Sequence, residues 1–206
     1  MGYMLEFYSL PWAGLGAALG SGDAGLLQRA RELQRSQMED VAADLPAGRE
    51  WEGALEDLIG GDLGRRLRGR DALGQGEPEE ASQAAAVAMA ALVRALGERL
   101  GGLSHRTRGG DVFREDFLGG QAQTALHPPV DLRLLTQRPL FGLVHSGYPS
   151  WGGLAAAEAR AIVTGTPEPD DLPDLEDPDA SSWLFALWEM LASAGDRERD
   201  LVTLYL

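Results

Sequence analysis

The hydrophobic pattern at the two ends of the chain predicts two β-strands. Tyr3–Leu10 is rich in aromatic and aliphatic residues and stops at Pro11. Asp200–Leu206 carries apolar residues on both faces, which is typical of a strand in the middle of a sheet. Segments this apolar would aggregate if they stayed unpaired. We therefore expect both in one small mixed sheet that the helices cover.

Between these strands, apolar residues recur at helical spacing in several segments. The last of these segments is apolar nearly all round, which indicates a helix at the centre of a core or one with a face against a partner. The predicted helices are Pro11–Leu19, Ala24–Gln37 with Asp23 as its N-cap, Glu50–Ile59, Pro78–Leu100, Leu154–Val163, and Ala180–Ala194 with Asp179 as its N-cap.

Other segments have a weaker pattern. Gly61–Gly76, rich in Gly and Arg, predicts an exposed loop or a frayed helix. Short β pieces are expected around Val130–Leu135, and Pro139–His145 predicts a short strand. Gly147–Gly153 predicts a turn. Seven acidic residues and four Pro between Pro167 and Asp179 predict an acidic, Pro-rich loop at 165–179.

These elements predict an α+β fold with helices in the majority. A chain of 206 residues fits one domain, so we expect a single α+β domain over residues 1–206. No internal repeat is visible. The first six residues lack the basic region of a signal peptide, and the longest apolar run is about half of a membrane span. We therefore expect a soluble, cytoplasmic protein that does not enter a membrane.

Composition removes several kinds of chemistry. The chain has no Cys, which excludes disulfides, thiolate catalysis and Cys-based metal sites. It also has no Lys or Asn, a bias that we attribute to a GC-rich genome. The net charge is −14: residues 1–110 carry 16 acids against 12 Arg, and residues 111–206 carry 16 acids against 6 Arg. This charge repels nucleic acid and anionic lipid, and it would attract a basic protein partner.

The three His do not predict a metal site. His105, His127 and His145 stand far apart, and no HxxE or HxH spacing joins them to acids such as Glu115 or Asp116. Ser146 follows His145, but the glycines around it do not match the nucleophile elbow of hydrolases. We expect no cofactor, no metal and no catalytic residue set.

The segment from His145 to Gly153 is the strongest candidate for a binding site. It follows a predicted strand and precedes a predicted helix, a place where ligands often meet backbone amides. It lacks the phosphate-loop and dinucleotide motifs. Its alternative interpretation is a tight connection whose aromatic side chains cover the edge of the core. The candidate binding residues are His145, Ser146, Tyr148 and Trp151.

Two stretches are similar to known families. The opening residues Met1–Tyr8, followed by Gly20–Asp23, resemble the start of small bacterial domains of the YfbM-like type. The later Phe141–Leu143 and Gly147-Tyr148, with the closing Asp200–Tyr205, resemble a related family of unknown function from GC-rich bacteria. The resemblance supplies no catalytic residues. It implies a context of immunity or accessory proteins near toxin systems.

Two hypotheses about function follow. The first is a non-enzymatic binding or interaction module, of the immunity or accessory type, that binds a basic protein partner. The second is a small-ligand-binding protein or a hydrolase-type enzyme that uses the 145–153 loop, with His145 as its acid–base group and Tyr148 and Trp151 as walls. A homodimer built on exposed Trp or Ala surface is compatible with either hypothesis.

Overall fold

The structure is a computed structural model of the chain. The predicted acidic loop at 165–179 lies largely outside the residues that it describes, as does the side chain of His105. The described residues are 3–41, 50–70, 72, 79–105, 113–166, 172–173, 175 and 177–206.

Helices account for most of the described residues, and short strands for the rest of the regular structure. The described strands are β1 (Tyr3–Ser9), β2 (Glu79–Glu80), β3 (Glu98–His105), β4 (Leu143–Val144), β5 (Ser150–Leu154) and β6 (Leu201–Tyr205). The described helices are α1 (Trp12–Ala18), α2 (Ala24–Val41), α3 (Glu50–Gly60), α4 (Asp62–Arg68), α5 (Gln83–Leu96), a π-helix (Phe113–Ala122), α6 (Gln123–Leu126), α7 (Leu134–Gln137), α8 (Ala156–Gly165) and α9 (Pro178–Asp196).

Contacts between residues in space divide the chain into two compact units. The sheet unit consists of Met1–Ser9, Arg99–Arg138 and Trp151–Leu206, and the helical unit consists of Leu10–Glu98 and Pro139–Ser150. In the described part of the chain, no helix is both long enough and apolar enough to cross a membrane. The predicted α+β class, with a helical majority and the two terminal strands in one small sheet, is confirmed.

The sheet unit is built on the two terminal strands. Its four strands run in the order β3-β1-β6-β5, so that β1 and β6 occupy the middle, as the apolar residues on both faces of β6 predicted. The two strands pair antiparallel, from Leu5 opposite Tyr205 to Ser9 opposite Leu201. All five residues of β6 are buried. The central strands are therefore the apolar core of this unit.

An aromatic cluster joins the π-helix to α9 and to β6. Phe113 and Phe117 of the π-helix meet the ring of Trp183 edge-on, at centroid distances of 5.6 and 5.4 Å. Phe113 also stacks on Tyr205 at 5.8 Å. Edge-to-face and offset stacked rings attract each other beyond their area burial. The cluster fixes the π-helix in place at its first turn.

The short helix α7 packs on the sheet through close backbone contacts. A Cβ atom at Gly152 would stand 2.1 Å from the carbonyl oxygen of Leu134, so only glycine allows this approach. The Thr203 hydroxyl of β6 donates a hydrogen bond to the Leu135 carbonyl. These contacts tie residues 134–137 to two neighbouring strands.

The helical unit is organised around α5. Its residues from Ala85 to Val93 are all buried, and α2 and α3 pack against it. The apolar side of α3 is buried as predicted, with Trp51 at 3% exposure and Leu55 and Leu58 fully covered. Strands β2 and β4 form a separate parallel pair in this unit, with Glu79 opposite Leu143.

The helix predicted over Pro78–Leu100 is wrong at both ends. Helix α5 starts after Ser82, whose side chain accepts a hydrogen bond from the Ala85 N–H at 3.2 Å. Before it, the Glu79 N–H donates to the Gly142 carbonyl at 2.7 Å and makes residues 79–80 a strand. After it, the chain enters β3, so the last residues of the predicted helix and the following Gly101 and Gly102 lie inside a strand.

Two predictions for the segments between helices, and one for a helix cap, are also wrong. The β pieces expected at Val130–Leu135 are a turn and the start of α7, because the Asp131 side chain accepts a hydrogen bond from the Arg133 N–H at 2.9 Å. The turn expected at Gly147–Gly153 contains most of β5, whose five residues are buried. Asp179 is not the cap of the last helix, because Asp177 precedes a Pro at the first helical position and takes that role.

Candidate functional site

His145 is held by hydrogen bonds on both sides of its ring. It follows β4, which pairs with β2, and this pairing places the segment 80–83 beside it. Its Nδ1 lies 2.9 Å from the Ala81 carbonyl oxygen, and its Nε2 lies 3.1 Å from Oε1 of Gln83. The side chain is 9% exposed. The imidazole is thus committed to joining the turn after β4 to the start of α5.

Ser146 is bonded to Glu80. Its backbone N–H and its hydroxyl both donate to Oε1 of Glu80, at 2.7 and 3.0 Å. The N–H bond, then the hydroxyl bond, and the nearby charge of His145 together lower the pKa of Glu80 below its ordinary value, although partial desolvation opposes them. A hydroxyl has one proton to donate. Ser146 donates this proton to the Glu80 carboxylate, and the hydrogen bond holds the turn after β4 against β2.

The other two predicted binding residues have different surroundings. The Tyr148 carbonyl accepts a hydrogen bond from the Gln83 side-chain amide at 2.5 Å, and this amide also faces His145. Trp151 belongs to the sheet unit, in β5, and is 2% exposed. The helical unit therefore brings His145, Ser146 and Tyr148 together around Gln83 and Glu80. No sequence pattern pointed to Gln83 or Glu80 as site residues.

The sheet unit carries an acidic cleft of about 840 Å³ beside the π-helix. We call it the acidic cleft. Its walls combine two carboxylates and an imidazole with small and apolar residues. The lining residues are Glu115, Asp116, Gly120, Gln121, Thr124, Ala125, His127, Pro173 and Leu175.

The backbone around this cleft explains how its polar groups come together. A π-helix has wider turns than an α-helix, is rare in proteins and is frequently found at functional sites. The ten residues Phe113–Ala122 adopt it and run on into α6. His127 then ends α6 in the left-handed region, at φ 44°. The widened helix and this sharp stop leave Asp116 and His127 on the same cleft.

The two carboxylates of the acidic cleft differ in whether a positive charge is paired with them. Glu115 accepts a hydrogen bond from Arg133 at 2.9 Å, and the same guanidinium also holds Asp131. The Arg133 hydrogen bond lowers the pKa of Asp131, and both carboxylates raise that of Arg133. Asp116 is exposed, and among the described residues it has no hydrogen-bond or ion-pair partner. The available negative charge is therefore that of Asp116.

From the sequence, His127, Glu115 and Asp116 were candidates for metal ligands only. Among the described residues, no group of three or more His, Asp or Glu is placed to hold a metal ion. The cleft itself carries no local sequence signal, because a π-helix does not follow the 3.6-residue period from which helices are predicted.

Comparison with known protein families places the whole chain in one family. A family model described as a domain of unknown function matches residues 1–206. No curated protein and no solved structure matches the chain.

Proposed function

The chain belongs to the DUF7691 family, a domain of unknown function, and we propose that it is a non-enzymatic binding protein. The proposed ligand is a cationic segment of a basic partner protein, received in the acidic cleft. The observation that carries the proposal is Asp116, an exposed carboxylate on an 840 Å³ cleft, with no partner in the described part of the chain.

The charge of the molecule supports this assignment. Residues 111–206, which contain the cleft, carry 16 acids against 6 Arg, and the whole chain stands at −14. A field of this sign raises the rate at which a basic partner arrives and disfavours anionic ones. The attraction acts at short range at physiological salt, where the Debye length is about 8 Å.

The walls of the acidic cleft suit the side chain of Arg or Lys. Such a side chain has an apolar stem and a charged head. Ala125, Pro173 and Leu175 offer apolar surface for the stem, and Asp116 offers a carboxylate for the head. The Thr124 hydroxyl supplies a further acceptor. A partner with a basic loop would place one such side chain in the cleft.

The biological setting that we propose is the one implied by the sequence resemblance. An immunity or accessory protein that neutralises a basic toxin or effector in the bacterial cytoplasm would use such a cleft. Kinship with the YfbM-like type and self-association into a homodimer stay predictions, and sedimentation analysis tests the second.

The alternative function, a small-ligand site or hydrolase centre on the 145–153 loop, is less well supported. His145 and Ser146 use their polar atoms to bind Ala81, Gln83 and Glu80. A nucleophile–base pair of Ser146 with His145 would require the Ser146 hydroxyl to turn away from Glu80. These contacts favour a structural role for the loop.

The proposal predicts a cleft-specific loss of affinity for basic peptides. We expect a decapeptide of alternating Arg and Gly to bind the protein, and Asp116→Asn to weaken this binding about three- to fivefold, because an ion pair of an exposed carboxylate is worth up to about 1 kcal/mol. Isothermal titration at 50 and 300 mM salt measures it, and the affinity should fall as salt rises.

The matched control is Asp196→Asn, which makes the same charge change at an exposed position of the sheet unit that does not line the cleft. It should alter affinity by less than about twofold, since a distant exposed charge is largely screened. Equal losses in the two variants, or no binding of the peptide by the natural chain, would contradict the proposal.

A further inference from the structure

The helical unit contains a second cleft, which differs from the first in charge. Its volume is about 520 Å³. One face of α1 forms one side, the turn at Phe141 forms another, and two Arg stand at the rim. We call it the arginine cleft. The lining residues are Trp12, Ala13, Gly16, Ala17, Arg68, Arg70, Ala72 and Phe141.

The floor of the arginine cleft is aromatic and fixed. Phe141 lies in the left-handed region at φ 53°, and its N–H donates to the Ala72 carbonyl at 3.0 Å. Its ring lies so close to α1 that a Cβ atom at Gly16 would stand 2.9 Å from it. Non-glycine residues with such a φ are uncommon and are enriched at functional sites. Phe141 and Trp12 are 3% and 6% exposed.

The wall above this floor is made of small side chains. Ala13 and Ala17 are exposed on α1, and Gly16 lies between them on the same helical face. Small residues at these positions leave the two rings as the base of an open space. A flat apolar group of the size of a phenyl ring fits a cavity of this volume.

The rim carries positive charge that the described residues neutralise only in part. Arg68 is exposed, its described hydrogen bond is a long one of 3.4 Å to the Gly20 carbonyl, and no carboxylate of the described residues lies within 4 Å of it. Arg70 and Arg66 share the single carboxylate of Glu79, each at 3.5 Å. Guanidinium groups in such loose contacts can still bind a better acceptor.

We propose that the arginine cleft binds a small organic oxyanion with an aromatic body. The aromatic body lies against α1 and the Phe141 ring, and a phosphate or carboxylate head accepts hydrogen bonds from Arg68 and Arg70. The planar fork of Arg matches two oxygens of either head group. The net charge of −14 makes this a selective site, because the overall field works against anions that lack the apolar contact.

The test uses phenyl phosphate as the probe, with inorganic phosphate and benzyl alcohol as the two partial ligands. Titration followed by NMR chemical shifts measures each affinity. We expect phenyl phosphate to bind at least tenfold more tightly than either partial ligand, because only phenyl phosphate contacts both floor and rim. Equal affinity for inorganic phosphate, or no binding of phenyl phosphate at 10 mM (about 2.7 kcal/mol of affinity), overturns the proposal.

Two variants and a matched control locate the site. Arg68→Gln should weaken phenyl phosphate about tenfold or more, and Arg65→Gln, on the same helix but outside the cleft and paired with Asp62, should change it less than about twofold. Ala17→Leu should block the cleft and abolish binding. Equal effects of the two Arg variants, or unchanged binding by Ala17→Leu, contradict the proposal. Thermal unfolding of each variant verifies that it is folded.

This inference stands apart from the proposed function. The two clefts lie in different units and take ligands of opposite charge. Asp116→Asn should leave phenyl phosphate binding unchanged, and Arg68→Gln should leave basic peptide binding unchanged. Either proposal can therefore fail while the other holds.

Discussion

At the scale of single residues, Arg138 and Glu158 form the least exposed ion pair of the described chain, with side chains 12% and 22% exposed. Arg138 donates to Oε1 of Glu158 at 3.0 Å and to the Gly153 carbonyl at 3.2 Å. Glu158 also accepts the Ala155 N–H at 2.7 Å. The pair thus joins β5 to the first turn of α8.

Removing this carboxylate should destabilise the fold. We expect Glu158→Gln to lower the free energy of unfolding by about 1–3 kcal/mol, because it leaves a largely buried guanidinium with a weaker partner. Urea denaturation measures the change. The control is Glu198→Gln, since Glu198 pairs with Arg160 where the side chains are 76% and 50% exposed. It should cost less than about 0.5 kcal/mol, and equal losses would contradict the assignment.

The same pair gives a pH dependence. Desolvation alone would raise the pKa of Glu158, but the hydrogen bonds from Arg138 and the Ala155 N–H and the Arg138 charge lower it below 4.5. A carboxyl with a lowered folded-state pKa contributes stability above its ordinary value, and this stability is lost as the pH falls through the folded value. The natural chain should therefore lose more unfolding free energy than Glu158→Gln between pH 6 and about pH 3. Parallel losses would refute this.

The residues of the sites were only partly predictable from sequence. His145, Ser146 and Tyr148 could be selected because functional side chains cluster there along the chain. Glu80 and Gln83 could not, because more than sixty residues separate them from their partners. The difference between Asp116 and Glu115, neighbours in sequence, depends on the reach of Arg133 alone. Such a difference is a property of the tertiary structure.

At the scale of elements, the packing of α4 requires a residue without a side chain at position 64. A Cβ atom at Gly64 would stand 1.9 Å from the Leu58 carbonyl oxygen and 2.6 Å from the Gly20 nitrogen. This close approach lets α4 cross the end of α3, so the segment is a packed helix. The glycine and arginine content of Gly61–Gly76 had predicted an exposed loop or a frayed helix, because composition does not record what a residue packs against. Residues 71 and 73–76 of this range lie outside the described residues.

Substitution of this glycine should be costly. We expect Gly64→Ala to destabilise the fold by about 1–3 kcal/mol, because the backbone must move to admit the methyl group. Gly14→Ala is the matched change in α1, where no atom lies within 4 Å of the added Cβ. It should be neutral or stabilise by up to about 1 kcal/mol, since alanine favours a helix. Similar effects in thermal melts would disprove the packing argument.

Elements with a strong hydrophobic period were predicted well, and the others were not. β1, β6, α2 and α3 were found near their predicted bounds because each buries one face or one continuous run. The helix predicted for the Ala-rich segment was longer than α5 at both ends, because alanine and glutamate favour a helix even where tertiary contacts make the chain a strand. The π-helix does not follow the 3.6-residue period of an α-helix, and its aromatic contacts include residues at 183 and 205, distant in sequence.

At the scale of the whole molecule, the prediction of a single domain can be tested by cooperativity. The two units are each formed from segments that are distant in sequence, and the chain passes between them at residues 9–10, 98–99, 138–139 and 150–151. We expect one unfolding transition, coincident by far-UV circular dichroism and tryptophan fluorescence, as for single domains. Two separated transitions would show that the units are independent domains.

The pairing of β1 with β6 has a consequence for biosynthesis. About 200 residues separate Leu5 from Tyr205. At typical translation speeds of about 5–20 residues per second, a ribosome releases the second strand roughly 10–40 s after the first. Through that interval β1 has no antiparallel neighbour on the side that β6 will occupy, and its apolar residues are open to other nascent chains. The presence of a holdase chaperone during this interval should therefore raise the yield of native protein from a recombinant host.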